Sequence, residues 1–140
     1  MSDPPPVSPA RAGHIGYRVD TAGGVIHETW SGVITRDVLL AHWREYLADP
    51  AVLAVKRTLV DLRDCDVHFS GEEWLRLIEG CLLNRPDLGG WKSAIVVDKP
   101  YLHGIARQFL GHASQIAHGE LFEQPDQAAA WLTRQVASDD

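Results

Sequence analysis

From residue 57 onward, short runs of β-branched and apolar residues alternate with stretches whose apolar residues recur at helical spacing. The runs are RTLVDL (57–62), WKSAIVVDK (91–99) and GELFE (119–123). The stretches between them are long enough for a crossover helix. Strands joined in this way pair in parallel through right-handed connections. WKSAIVVDK has the near-continuous apolar character of a strand covered on both faces, which predicts a central position. No other feature narrows the possible folds as far.

Ahead of this alternation lie two strand-like segments, HIGYRVD (14–20) and VIHETWSG (25–32), joined by TAGG (21–24), whose residues suit a hairpin turn. In TRDVLLAHWREYLADP, Leu39, Trp43, Tyr46 and Leu47 fall on one helical face. Thr35 serves as its N-cap, Asp37 suits the first turn and Pro50 closes the segment. A second helix follows DCDVHFSGEEW (64–74). Ser70 and Glu73 form a capping box, and Trp74, Leu75, Ile78, Cys81 and Leu82 share a face. Pro100 opens a third helix with an apolar stripe from Leu102 to Ala113, in which Gly104 allows close packing on the sheet. Pro125 opens the last, with Ala128, Trp131, Leu132 and Val136 facing inward. The order is ββαβαβαβα. It predicts an α/β fold with a mixed sheet of about five strands and helices mainly on one face.

The chain has 140 residues, 45% of them apolar and 23% charged, which fits one globular domain with its own core. The start, MSDPPPVSPARAG (1–13), reads as a disordered Pro-rich tail; residues 14–140 form the single domain. A net charge of -6 with no basic cluster excludes general nucleic-acid binding. No apolar run reaches the roughly 20 residues of a membrane span. Two cysteines and no export signal predict a reduced, cytoplasmic protein.

Several side-chain groupings invite a chemical reading. Cys65 and His68 form a lone C-x-x-H, short of the four ligands of structural zinc even with His112 and His118. Asp61, Asp64 and Asp66 lack the further oxygen ligands a hard cation needs. Ser70 and His68 suggest a nucleophile and base, but no G-x-S-x-G elbow is present and Ser70 reads as a helix cap. These patterns predict no metal, no cofactor and no catalytic residue. DKPYLHGIARQ (98–108) follows the central strand, where ligands of open α/β sheets bind. Asp98, Lys99, Tyr101, His103 and Arg107 cluster there, with His103 and Arg107 one turn apart, facing an anion or a partner. Trp43, Trp74 and Trp131 belong to helix core faces. Trp30 at a strand end and Trp91 after Gly-Gly are less constrained, and their exposure would mark an interface.

Taken together, WSGVIT (30–35), LVDLRD (59–64) before a capped helix, KSAIVVD (92–98) and ELFEQPDQAAAWL (120–132) resemble the SpoIIAA-like (STAS/SEC14-type) single-domain bacterial proteins over residues 14–137. The resemblance implies a STAS-like fold and a regulatory or binding role without catalysis. In the anti-sigma-factor antagonists of this fold, a serine in D-S-S-G at the start of the second helix is phosphorylated. Here the corresponding residues are His68, Phe69, Ser70 and Gly71, so Ser70 is the candidate phosphoacceptor, although the Asp and one Ser are absent. The expected function is that of an adaptor acting through a protein partner or as a homodimer, its surface including residues 66–72 and the start of the 101–113 helix. The alternative is a carrier or sensor of a small apolar or anionic ligand held between helices and sheet near Tyr101, His103 and Arg107. A lipid-sized cavity has little room in a core of this size.

Overall fold

A computed structural model describes residues 12–138, with side chains as far as Thr133. The Pro-rich segment and Val136 therefore lie almost wholly outside the described side chains. The strands are β1 (His14–Asp20), β2 (Val25–Thr35), β3 (Arg57–His68), β4 (Trp91–Val96) and β5 (Ala117–Phe122). The helices are α1 (Arg36–Tyr46), α2 (Pro50–Val55), α3 (Gly71–Cys81), α4 (Pro100–His112) and α5 (Pro125–Ser138). The sheet runs β1-β2-β3-β4-β5, antiparallel between β1 and β2 and parallel elsewhere.

That strand order dictates where the helices go. Every crossover after β2 steps in the same direction across the sheet. Right-handed crossovers that never reverse direction deposit all their helices on one face. Accordingly α1, α3 and α4 pack together over Ile26, Ile34, Trp91 and Ile95. Helix α5 covers the opposite face. There Ala128, Trp131 and Leu132 pack on Ala94 and Val96. Alternation along β4 explains the two cores: Trp91, Ser93 and Ile95 face one layer, Ala94 and Val96 the other. Gly119 on β5 brings α4 in close, because a Cβ there would collide with the Leu110 side chain. Gly104, expected to play this part, is exposed and faces open space.

Three boundaries differ from the expected ones. Pro50 opens α2 rather than ending the preceding helix: Asp49 caps it through the Ala51 amide, and proline suits a first-turn position. Strand β2 continues to Thr35, which leaves Trp30 well inside the strand and buried rather than at its end. Strand β3 continues six residues past Leu62, so Asp64–His68 is strand and not loop. The cause is a bulge. Thr29 pairs with Asp61 and Ser31 with Asp64, so β3 carries one extra residue there. Asp61 stabilises the kink by accepting from the Arg63 amide at 3.0 Å and from its guanidinium at 3.0 and 2.8 Å. Beyond the bulge the inward positions shift to Cys65 and Val67.

Candidate functional site

The main interior feature lies between the sheet and the α1–α3–α4 layer. A cavity of about 100 Å³ is lined by β2, β3 and β4 below and by α1, α3 and α4 above. Its roof follows from helical spacing. Trp43 and Tyr46 are one turn apart on α1, Trp74 begins the apolar face of α3, and Ala106 and Phe109 lie on that of α4. Trp43 stacks on Trp74 with centroids 6.1 Å apart and planes 17° apart. Trp74 in turn meets Phe109 at 5.2 Å and Phe69 at 5.0 Å. Each such contact adds about 0.5–1.5 kcal/mol beyond area burial. Ala106 is small, and space remains opposite it.

The floor supplies the polar groups. Inward positions of β2 read Ile26, Glu28, Trp30 and Ile34, so strand alternation carries a carboxylate into the core. Glu28 is 5% exposed and is the one charged side chain on the cavity wall. Its Oε2 accepts from Trp30 Nε1 at 2.6 Å. The Tyr46 hydroxyl stands near Glu28 and lies 3.1 Å from Thr58 Oγ1, which accepts from Trp91 Nε1 at 2.8 Å. The indole of Trp91 is donor only, so the Thr58 proton is free for Tyr46 and the Tyr46 proton for the carboxylate. Burial, with Glu28 nearby, pushes the Tyr46 phenol far above its ordinary value.

Behind Glu28 stands His42, on the apolar face of α1. Its Nε2 is 3.6 Å from Glu28 Oε2, within ion-pair distance but beyond hydrogen-bond reach, and is buried without a hydrogen-bond partner. An orphaned buried nitrogen costs about 1–3 kcal/mol. Tyr17 closes this end, edge-on to Tyr46 at 4.9 Å and to His42 at 5.8 Å. Burial, then its hydrogen bond to Asp49 at 2.8 Å, pushes the Tyr17 phenol up to about 12.

The residues expected to form a site divide between wall and rim. Phe69 lines the cavity; Ser70 and His68 on either side of it are exposed. Ser70 caps α3, accepting from the Glu73 amide at 3.1 Å, while Glu73 accepts from the Ser70 amide at 2.8 Å. Tyr101 and Lys99 tie the start of α4 to the end of β3. The Tyr101 hydroxyl donates to Asp66 at 2.7 Å and accepts from the Val67 amide at 3.2 Å, and Lys99 donates to the Cys65 carbonyl at 2.7 Å. The Tyr101 bond, then Lys99, holds the Asp66 carboxyl below its usual range. Asp98 and Arg107 are exposed and His103 half-buried, and none of Asp98, Lys99, Tyr101, His103 or Arg107 reaches the cavity. The cavity does lie between helices and sheet, and α4 contributes Leu102, Ile105 and Ala106 to it rather than Tyr101, His103 or Arg107, because the apolar residues of that helix face the sheet. Trp30 and Trp91, considered for an exposed interface, are buried at 6% and 7%. Among the described residues no group of three metal-ligating side chains is close enough to hold a metal, and no helix is long and apolar enough to cross a membrane.

Glu28 and His42 carry the site's polarity and stood outside every sequence motif considered. The signal for both was present. A glutamate occupies the inward phase of β2, and a histidine sits three residues after Leu39 and four before Tyr46 on an apolar helix face.

No protein-family model and no curated protein matches the sequence. Among solved structures, the chain is similar to an uncharacterized protein from the DUF3478 family with a SpoIIAA-like fold, from Shewanella loihica PV-4. The likeness covers 89% of this chain and 98% of that one at 13% identity, with a TM-score of 0.55. With the five-stranded mixed sheet and its crossover helices, this identifies the fold of the chain as SpoIIAA-like.

Proposed function

We propose that the protein is a non-catalytic regulatory module that senses a small molecule in the cavity beneath α1, α3 and α4. The observation that carries this reading is the composition of the wall: among the described residues, seven aromatic side chains, one carboxylate and the hydroxyls of Thr58 and Ser93 in a predominantly apolar lining. Ligand pockets combine an apolar lining with a few convergent polar groups. The volume sets the size class. A cavity of roughly 150 Å³ admits benzene, so about 100 Å³ suits four or five non-hydrogen atoms and no lipid chain.

Phe69 connects occupancy to the surface. It forms part of the wall, and the chain on either side of it is the exposed rim of His68, Ser70 and the α3 cap. A ligand that favours one Phe69 position shifts the population of rim conformations, and a protein partner reads the rim. Tyr101, 46% exposed and fixed to the same strand end, belongs to that partner surface.

The test is a titration with tert-butanol, which has five non-hydrogen atoms, followed by the indole and backbone N–H resonances. Saturable shifts are expected at the indoles of Trp30, Trp43, Trp74 and Trp91 and at the Ser70 amide. Trp131, on the far face of the sheet, is the internal control and should not move. Ala106→Leu fills the space and is expected to weaken binding at least tenfold. Shifts that are uniform, or that include Trp131 equally, contradict the reading.

A further inference from the structure

We infer that the Glu28 end of the cavity binds a small organic cation, of the methylated or protonated amine class; this rests on the reading of the cavity as a ligand site. A carboxylate withdrawn from water needs a positive partner or it is strongly disfavoured. The group that meets Glu28 by hydrogen bond is a neutral donor, the Trp30 indole. His42 Nε2 stands 3.6 Å from Glu28 Oε2, within ion-pair distance but beyond hydrogen-bond reach, and His42 lies behind the carboxylate rather than on the cavity wall. From the cavity side, no cationic side chain among the described residues faces Glu28.

The wall around that side has the matching chemistry. Trp30, Tyr46 and Trp91 line the same end, with Tyr46 and Trp91 ring centroids 6.1 Å apart. Aromatic faces attract cations through their quadrupole, most strongly when water is excluded, and quaternary ammonium groups are recognised by such walls. An anionic ligand is opposed by the same features, since among the described residues no cationic side chain lines the cavity. The anionic alternative raised by the sequence thus does not fit this space. An ammonium of about five non-hydrogen atoms fits its size class.

The experiment compares tetramethylammonium with tert-butanol, a neutral molecule of the same heavy-atom count, on the wild-type chain. Binding is followed by the Trp indole N–H resonances. Tetramethylammonium is expected to bind at least tenfold more tightly. Its methyl protons should give Overhauser contacts to the Trp30 and Tyr46 rings, and Glu28→Gln should remove the preference. Equal affinities, as expected if His42 already supplies the compensating charge, overturn the cation assignment and leave the cavity reading intact. Binding of neither probe overturns both. Contacts confined to Trp74 and Phe109 overturn the role of Glu28 without recourse to any variant, so the outcome does not depend on Glu28→Gln folding.

Discussion

Glu28 shows what a single inward residue can decide. In VIHETWSGVIT the apolar residues give the phase of the strand, and the glutamate falls on the buried face between Ile26 and Trp30. Periodicity made that position legible. What periodicity does not carry is the set of donors that gather around it, because Thr58, Tyr46 and Trp91 come from three other elements. The surrounding phenols have a consequence for pH. Tyr17 has its phenol raised from 10.0 to about 12, chiefly by burial and then by Asp49. A folded-state value above the unfolded one means the contribution is present below pH 10 and lost as the pH climbs through about 12. Stability measured by urea unfolding should therefore fall over that interval. Tyr17→Phe should fall less steeply over the same range, and identical slopes would contradict the assignment.

At the scale of elements, the helices were more legible than the strands. The capping box at Ser70 and Glu73 was written in the sequence and is present with both of its bonds. Strand β3 was cut short at Leu62 because the bulge changes the inward spacing from two to three, from Leu62 to Cys65. A period-two reading cannot follow a strand across such a step. The candidate site suffered the same way. DCDVH looked like a loop of chemically suggestive residues, whereas the sheet fixes it and turns Cys65 inward, where burial pushes its thiol up to about 12. Of the surface residues singled out, only Phe69 reaches the cavity. The cap has a measurable weight: Ser70→Ala should destabilise the protein by about 0.5–2 kcal/mol through loss of the Glu73 amide bond. Chemical denaturation with Ser70→Asp as a companion tests this, since aspartate also caps and should retain most of the stability. Equal losses in the two variants would contradict the capping role.

Across the whole molecule, strand order explains both layers. Crossovers that advance in one direction gather α1, α3 and α4 on one face, and α5 closes the other with Trp131 over Ala94 and Val96. The alternation of strands and helices made this architecture legible. The cavity was not, because open space is the difference between the volume of the layer and that of its side chains, and neither is a periodic property. Four tryptophans line it, and bulky rings held apart by their own contacts leave gaps that smaller side chains would close. Every property proposed for this chain depends on that space admitting a small apolar guest. Diffraction from crystals held under xenon pressure tests it most directly, because xenon enters apolar cavities of this kind. The expected result is a xenon site bounded by Trp74, Trp91 and Ala106, absent in Ala106→Leu. A wild-type map with no xenon between the sheet and α4 would contradict the account.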